Sequence, residues 1–117
     1  MPDKILIVDD SFEDSSLIKS ILEKEGYSAF VATNGAQALD MMNSINFGLV
    51  LIDVKMPTLS GYDLLRLLRE KYNGKTKMCY VTIVPRKDVD LTEVNGFVQK
   101  PFTKATLLEE VKKLMRK

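Results

Sequence analysis

The chain has no histidine, only one cysteine, and no apolar run near the ~20 residues that cross a bilayer. Without imidazole there is no His general base, no His-ligated metal and no triad built on His. The single Cys79 forms no internal disulfide and no thiolate zinc site, and it fits a reducing cytosol. An excess of one charge is lacking too: 17 Lys+Arg face 16 Asp+Glu, a formal net charge of +1. That balance removes the electrostatic case for a nucleic-acid or membrane-surface binder. Strand-like apolar residues begin right after Lys4, with no secretory n-region and h-region, so a cytoplasmic location is expected. What remains is 117 residues, 45% hydrophobic and 28% charged, which suits one globular domain with its own core.

The apolar pattern alternates between two periods. Ile5-Leu6-Ile7-Val8, Ala29-Phe30-Val31-Ala32, Leu49-Val50-Leu51-Ile52, Met78 to Val81 and Gly96-Phe97-Val98-Gln99 are short continuous runs. Such runs read as strands covered on both faces, as in a parallel sheet. Helical stripes stand between them. Leu17, Ile18, Ile21 and Leu22 form one, begun by Ser11 and ended by Gly26. Ser11 with Asp14 resembles a capping box. Ala38, Leu39, Met42 and Ile45 follow the Asn34-Gly35 turn, and Leu64, Leu65 and Leu68 follow Pro57 and Gly61. A last stripe of Leu107, Val111, Leu114 and Met115 begins at a Thr103 N-cap. Alternating strand and helix predicts an α/β fold: a doubly wound five-stranded parallel sheet with helices on both faces.

In such a sheet the functional site lies at the carboxyl ends of the strands. Four strands end there on chemistry: Asp9-Asp10, Asp53, Thr82 and Lys100. Each alone is ordinary, a turn aspartate or a solvated lysine. Together they are not. Three carboxylates at one edge repel, and each raises the others' pKa unless a cation intervenes. A hard divalent ion with oxygen ligands resolves that conflict, Mg²⁺ being the usual one. With a lysine and a hydroxyl beside them, the set is suited to hold a phosphoryl group.

In this set the chain resembles the receiver domains of two-component response regulators, with one such domain spanning residues 1–117. The marks are Asp9-Asp10, Asp53-Val54-Lys55-Met56-Pro57 with Gly61, Thr82, and Lys100-Pro101-Phe102. The resemblance implies a flavodoxin-like strand order of 2-1-3-4-5. It also implies a phosphorylation switch, not an enzyme acting on other molecules. Asp53 would accept the phosphoryl group from a phosphohistidine on a sensor histidine kinase or a histidine phosphotransfer protein. Mg²⁺ would be held by Asp10 directly, by Asp9 mainly through water, and by Asp53 and the backbone carbonyl of Lys55. Thr82 and Lys100 would bind phosphoryl oxygens, Phe97 would be the switch aromatic, and the Lys100–Pro101 peptide would be cis. The output would be a downstream protein target, with no direct contact to nucleic acid or membrane.

Three features depart from the family pattern. Ile83 follows Thr82 where a small residue is usual, and would crowd the phosphoryl pocket or restrict a donor's approach. Lys55 and Val84 flank the site, each two positions after a site residue. The interval from Thr82 to Lys100 is about one helical turn shorter than usual. Between Pro85 and Asn95 only Val89, Leu91 and Val94 are apolar, so the fourth helix is predicted to be short or absent. A pseudo-receiver, acting as a phosphorylation-independent interaction module, is the alternative function. An Asp-nucleophile phosphohydrolase is disfavoured because Lys55, not an acid, stands two residues after Asp53. A nucleotide-binding Rossmann domain is disfavoured because no glycine-rich fingerprint follows the first strand.

Overall fold

Apolar runs too short for helices pair side by side into one sheet whose two faces are both covered. The computed structural model describes residues 3–56, 60–72 and 76–116. The elements run β1 (Lys4–Val8), α1 (Phe12–Lys24), β2 (Ser28–Ala32), α2 (Gly35–Ser44), β3 (Leu49–Ile52), α3 (Gly61–Tyr72), β4 (Lys77–Thr82), β5 (Gly96–Gln99) and α4 (Lys104–Met115). All pairings are parallel and the strand order is β2-β1-β3-β4-β5, as expected. All five strands fall within a residue of the predicted runs, β4 ending on Thr82 itself. Pro57 lies outside the described residues.

Period-2 alternation sorts the strand side chains into two layers. Ile5, Ile7, Leu49, Leu51, Cys79, Val81 and Val98 face α1 and α4. Leu6, Val8, Val50, Ile52, Met78 and Tyr80 face α2 and α3. Each fully buried Leu or Ile contributes roughly 1.5–3 kcal/mol, so the sheet is held from both sides. Leu17 departs from its predicted place. It is 52% exposed, because α1 meets the sheet along Ser15, Ile18 and Leu22 and leaves Leu17 on its flank.

Caps fix where the helices begin relative to the strand ends. Ser11 Oγ accepts from the Asp14 N–H at 3.3 Å, Asn34 Oδ1 from Gln37 at 2.8 Å, and Thr103 Oγ1 from Thr106 at 3.1 Å. Each such cap contributes about 1 kcal/mol. The end of α1 is a Schellman turn. Gly26, at φ +93°, donates to Glu23 O, and Tyr27 donates to Leu22 O, both at 3.1 Å. The capping box forms by half only, since the Asp14 carboxylate turns away to Lys100.

Between β4 and β5 the crossover helix is replaced by a single 3-10 turn at Arg86–Asp88, in keeping with the missing stripe. Val89, Leu91 and Val94 nevertheless all reach the layer shared with α3, where Val89 is buried. The segment is therefore anchored by more apolar contact than a helical pattern alone suggests. Asn95 closes it by pairing twice with Met78: its N–H donates to Met78 O at 2.8 Å, and its Oδ1 accepts from the Met78 N–H at 2.9 Å.

Candidate functional site

The sheet ladder runs one residue beyond the strands and sets the site residues in place. The Asp9 N–H donates to Ala32 O at 3.1 Å, the Asp53 N–H to Val8 O at 2.9 Å, and the Lys100 N–H to Thr82 O at 2.8 Å. Asp9, Asp53, Thr82 and Lys100 are consequently buried at one edge, with Asp10 exposed beside them. Gly61 opens α3 against this edge. Its N–H donates to Val54 O at 3.0 Å, and a Cβ there would lie 2.6 Å from Val54 Cα. Only glycine lets α3 begin so close to the backbone of Asp53 and Val54.

Lys100 is the centre of the charge network. Its Nζ lies 2.7 Å from Asp9 Oδ2, 2.8 Å from Asp14 Oδ2 and 3.7 Å from Asp53 Oδ2. Backbone donors hold the other oxygens: Ser11 N–H reaches Asp9 Oδ1 at 2.9 Å, and Lys55 N–H reaches Asp53 Oδ1 at 3.1 Å. Burial pushes the Asp9 carboxyl above its ordinary range, and the bonds from Lys100 and Ser11 offset part of this. Burial also works against the Lys100 ammonium, but Asp14 and Asp9 outweigh it and its pKa is raised. The two shifts go the same way for different reasons: burial raises Asp9, whereas the carboxylates gathered around it raise Lys100.

Three carboxylates therefore meet one ammonium, and the exposed Asp10 adds a fourth negative charge beside them. Asp9, Asp10 and Asp53 each turn a carboxylate oxygen to within 4.8 Å of the others, the only such group of three among the described residues. A hard divalent ion with oxygen ligands fits this donor set and would balance the surplus negative charge.

Thr82 is buried, and its Oγ1 accepts from the Val84 N–H at 3.2 Å. Gln99 joins the ends of β4 and β5. Its Nε2 lies 3.2, 3.1 and 3.1 Å from the carbonyl oxygens of Thr82, Ile83 and Lys100, and its Oε1 accepts from the Arg86 N–H. Phe97 is half-buried on the α3 side of the sheet, with the Arg86 guanidinium 5.5 Å from its ring centroid. The Lys100–Pro101 peptide is cis. Ile83 does not fill the pocket. It is 58% exposed and lines a shallow cavity at the site's rim with Leu17, Pro101 and Phe102.

Two residues of this network escape the sequence reading. Asp14 stands one turn beyond the acidic pair, where the helix carries its carboxylate back over the strand ends; its cap-like spacing gave it another explanation. Gln99 reads as the last residue of a strand, and nothing local marks its three carbonyl partners.

The likeness to known proteins follows the same lines. Residues 5–112 match the family described as response regulator receiver domain. The chain is 36% identical to chemotaxis protein CheY of Pseudomonas aeruginosa, over 97% of each chain. It is 35% identical to transcriptional regulatory protein CpxR of Escherichia coli, over 97% of this chain and 50% of CpxR. It thus spans about half the length of that relative. Among solved structures, response regulator TrrA of Thermotoga maritima, in complex with Mg²⁺-BeF, superposes with a TM-score of 0.88 at 35% identity. That match covers 97% of this chain and 99% of TrrA. The parallel sheet in the order 2-1-3-4-5 and the aspartates gathered at its edge have a shared origin: this chain belongs to the response regulator receiver domain family.

Proposed function

We propose that the chain acts as a single receiver domain over residues 1–117 and carries an aspartyl phosphate on Asp53. The observation that carries this reading is the meeting of Asp9, Asp10 and Asp53 within 4.8 Å, with Lys100 Nζ 3.7 Å from Asp53 Oδ2. Asp9, Asp10, Asp53 and the Lys55 carbonyl would hold Mg²⁺, which when bound supplies charge neutralisation around the phosphoryl oxygens. The donor is a phosphohistidine of a sensor histidine kinase or a histidine phosphotransfer protein. A carboxylate oxygen of Asp53 attacks phosphorus, the P–N bond to the donor imidazole breaks, and an acyl phosphate forms. Lys100 gives up part of its contact with Asp9 and Asp14 to pair with a phosphoryl oxygen. The Thr82 hydroxyl donates to another, and Phe97 turns inward as Thr82 moves, leaving Arg86. The output is a changed affinity for a downstream protein target, reached in the cytoplasm without contact to nucleic acid or membrane. The domain works only on its own phosphoryl group.

Such a modification adds about −1.5 to −2 charges to an edge that already carries four carboxylates, so the two states differ mainly in electrostatics. A donor reaching Asp53 passes the rim where Ile83, Leu17 and Pro101 stand beside Lys100. Intact mass after incubation with acetyl phosphate and Mg²⁺ tests the reading. The wild-type chain should gain one phosphate and Asp53→Asn none. A wild-type chain that takes no phosphate overturns it in favour of an unphosphorylated interaction module.

A further inference from the structure

The three acids around Lys100 are not held alike. Asp9 and Asp53 are buried, and each has its other oxygen fixed by a backbone N–H, from Ser11 at 2.9 Å and from Lys55 at 3.1 Å. Asp14 has neither constraint. It stands in the first turn of α1 with its side chain 43% exposed, and among the described residues its carboxylate meets only the Lys100 ammonium, at 2.8 Å. A cavity of about 260 Å³, which it lines with Leu17, Ile83 and Phe102, gives the side chain room to turn.

An ammonium has three N–H donors, and in the unmodified domain Asp9 and Asp14 take two of them, with Asp53 Oδ2 farther off at 3.7 Å. A phosphoryl group on Asp53 brings three acceptor oxygens and about −1.5 to −2 charges to the same Nζ. Both acids in direct contact then face a stronger competitor of their own sign. Asp9 cannot leave without stranding a buried charge. Asp14 can, because turning into water hydrates its carboxylate and an ion pair this exposed is weak.

We propose that Asp14 is a positioning residue acting through Lys100: a displaceable counter-anion that occupies the ammonium in the unmodified domain and is released to solvent when phosphoryl oxygens arrive. This rests on the reading of Asp53 as phosphoacceptor and adds a residue that regulates it. A contact made in one state alone shifts the equilibrium toward that state, so Asp14 holds down the affinity of the edge for a phosphoryl group. The bond to phosphorus remains the work of Asp53.

Titration of the ¹⁵N-labelled chain with beryllofluoride, an anionic mimic of the phosphoryl group, at saturating Mg²⁺ tests this through the amides of Asp53, Thr82 and Lys100. Asp14→Asn keeps the shape and removes the charge, and should bind about 5-fold more tightly than wild type. Glu13→Gln removes an exposed charge from the same helical turn that makes no ion pair among the described residues, and should leave the affinity unchanged. At about 1 M NaCl, where the Debye length is about 3 Å, the gain in Asp14→Asn should shrink, a response that a merely structural role would not give. Unchanged or weaker binding in Asp14→Asn, an equal gain in Glu13→Gln, or a gain that salt leaves intact would overturn the proposal while Asp53 stands as phosphoacceptor. A wild-type chain with no saturable shift overturns the reading of Asp53, and this inference with it.

Discussion

Two acidic clusters in one small domain are built on opposite plans. At the strand ends, Asp9 and Asp53 are buried, held by backbone N–H donors, and tied through one buried lysine. Between α3 and the β4–β5 segment, Asp63, Asp88, Asp90 and Glu93 are exposed and ring a space instead of meeting at a point. Convergence concentrates field on something the size of an ion or a phosphoryl group. Dispersion leaves charge facing water, where it costs little to hold. The same residue types thus carry very different energetic weight in the two places.

That contrast breaks most sharply at Lys100. Lys100→Met leaves Asp9, Asp14 and Asp53 without their shared cation, and should cost about 3 kcal/mol of unfolding free energy in metal-free buffer. Adding Asp9→Asn in the same chain should restore part of the loss, which urea titration of the double-mutant cycle reads directly. Equal, additive losses would show that the network is not a unit. Next comes Gly61→Ala, whose Cβ pushes on the backbone of Asp53 and Val54. A loss of about 2 kcal/mol is expected, with shifted amide resonances at Asp53. Smaller again is the response to Mg²⁺. At tenfold excess over its dissociation constant the ion should stabilise the wild-type chain by about 1.4 kcal/mol, an effect that Asp10→Ala should largely remove without unfolding the apo chain. Undiminished stabilisation in that variant would show that the ligand set is wrong. At the dispersed cluster, Asp88→Asn and Glu93→Gln should each change stability by less than about 0.5 kcal/mol. A loss near that of Lys100→Met at either position would erase the distinction between the two regions.

The fold was largely legible because its signals are local. Val8 and Ile52 end continuous apolar runs on aspartates, Ser11 and Thr103 begin helices, and Gly26 ends one in the left-handed region. The acid pair, Asp53, Thr82 and Lys100 were legible as well, because parallel topology sends every strand's carboxyl end to the same edge. What the sequence hides is created by tertiary approach. Asp14 spends its carboxylate on Lys100, a residue 86 positions away. Leu17 fits the stripe of α1 by spacing, yet only the docking angle of the helix decides that it faces outward. Val89, Leu91 and Val94 share no helical face, and they find the core because an irregular chain can turn each one inward separately. Tyr80 reads as one more strand residue until Tyr62 arrives from α3 and the shortened segment leaves its hydroxyl facing a cavity.

The two amide side chains that bracket the β4–β5 segment give it a polymer's freedom. Asn95 pins its far end to Met78, and Gln99 pins its near end through Thr82, Ile83 and Arg86. A loop closed by fixed ends pays an entropy that grows only logarithmically with length, about 0.6 kcal/mol for each doubling. Residues outside the Val89, Leu91 and Val94 anchors can therefore be gained or lost between the two pins at small loop-closure cost, while Thr82 and Lys100 keep their places in the ladder. The domain can in this way vary the surface it presents to other molecules on one side of the sheet without retuning the acid edge.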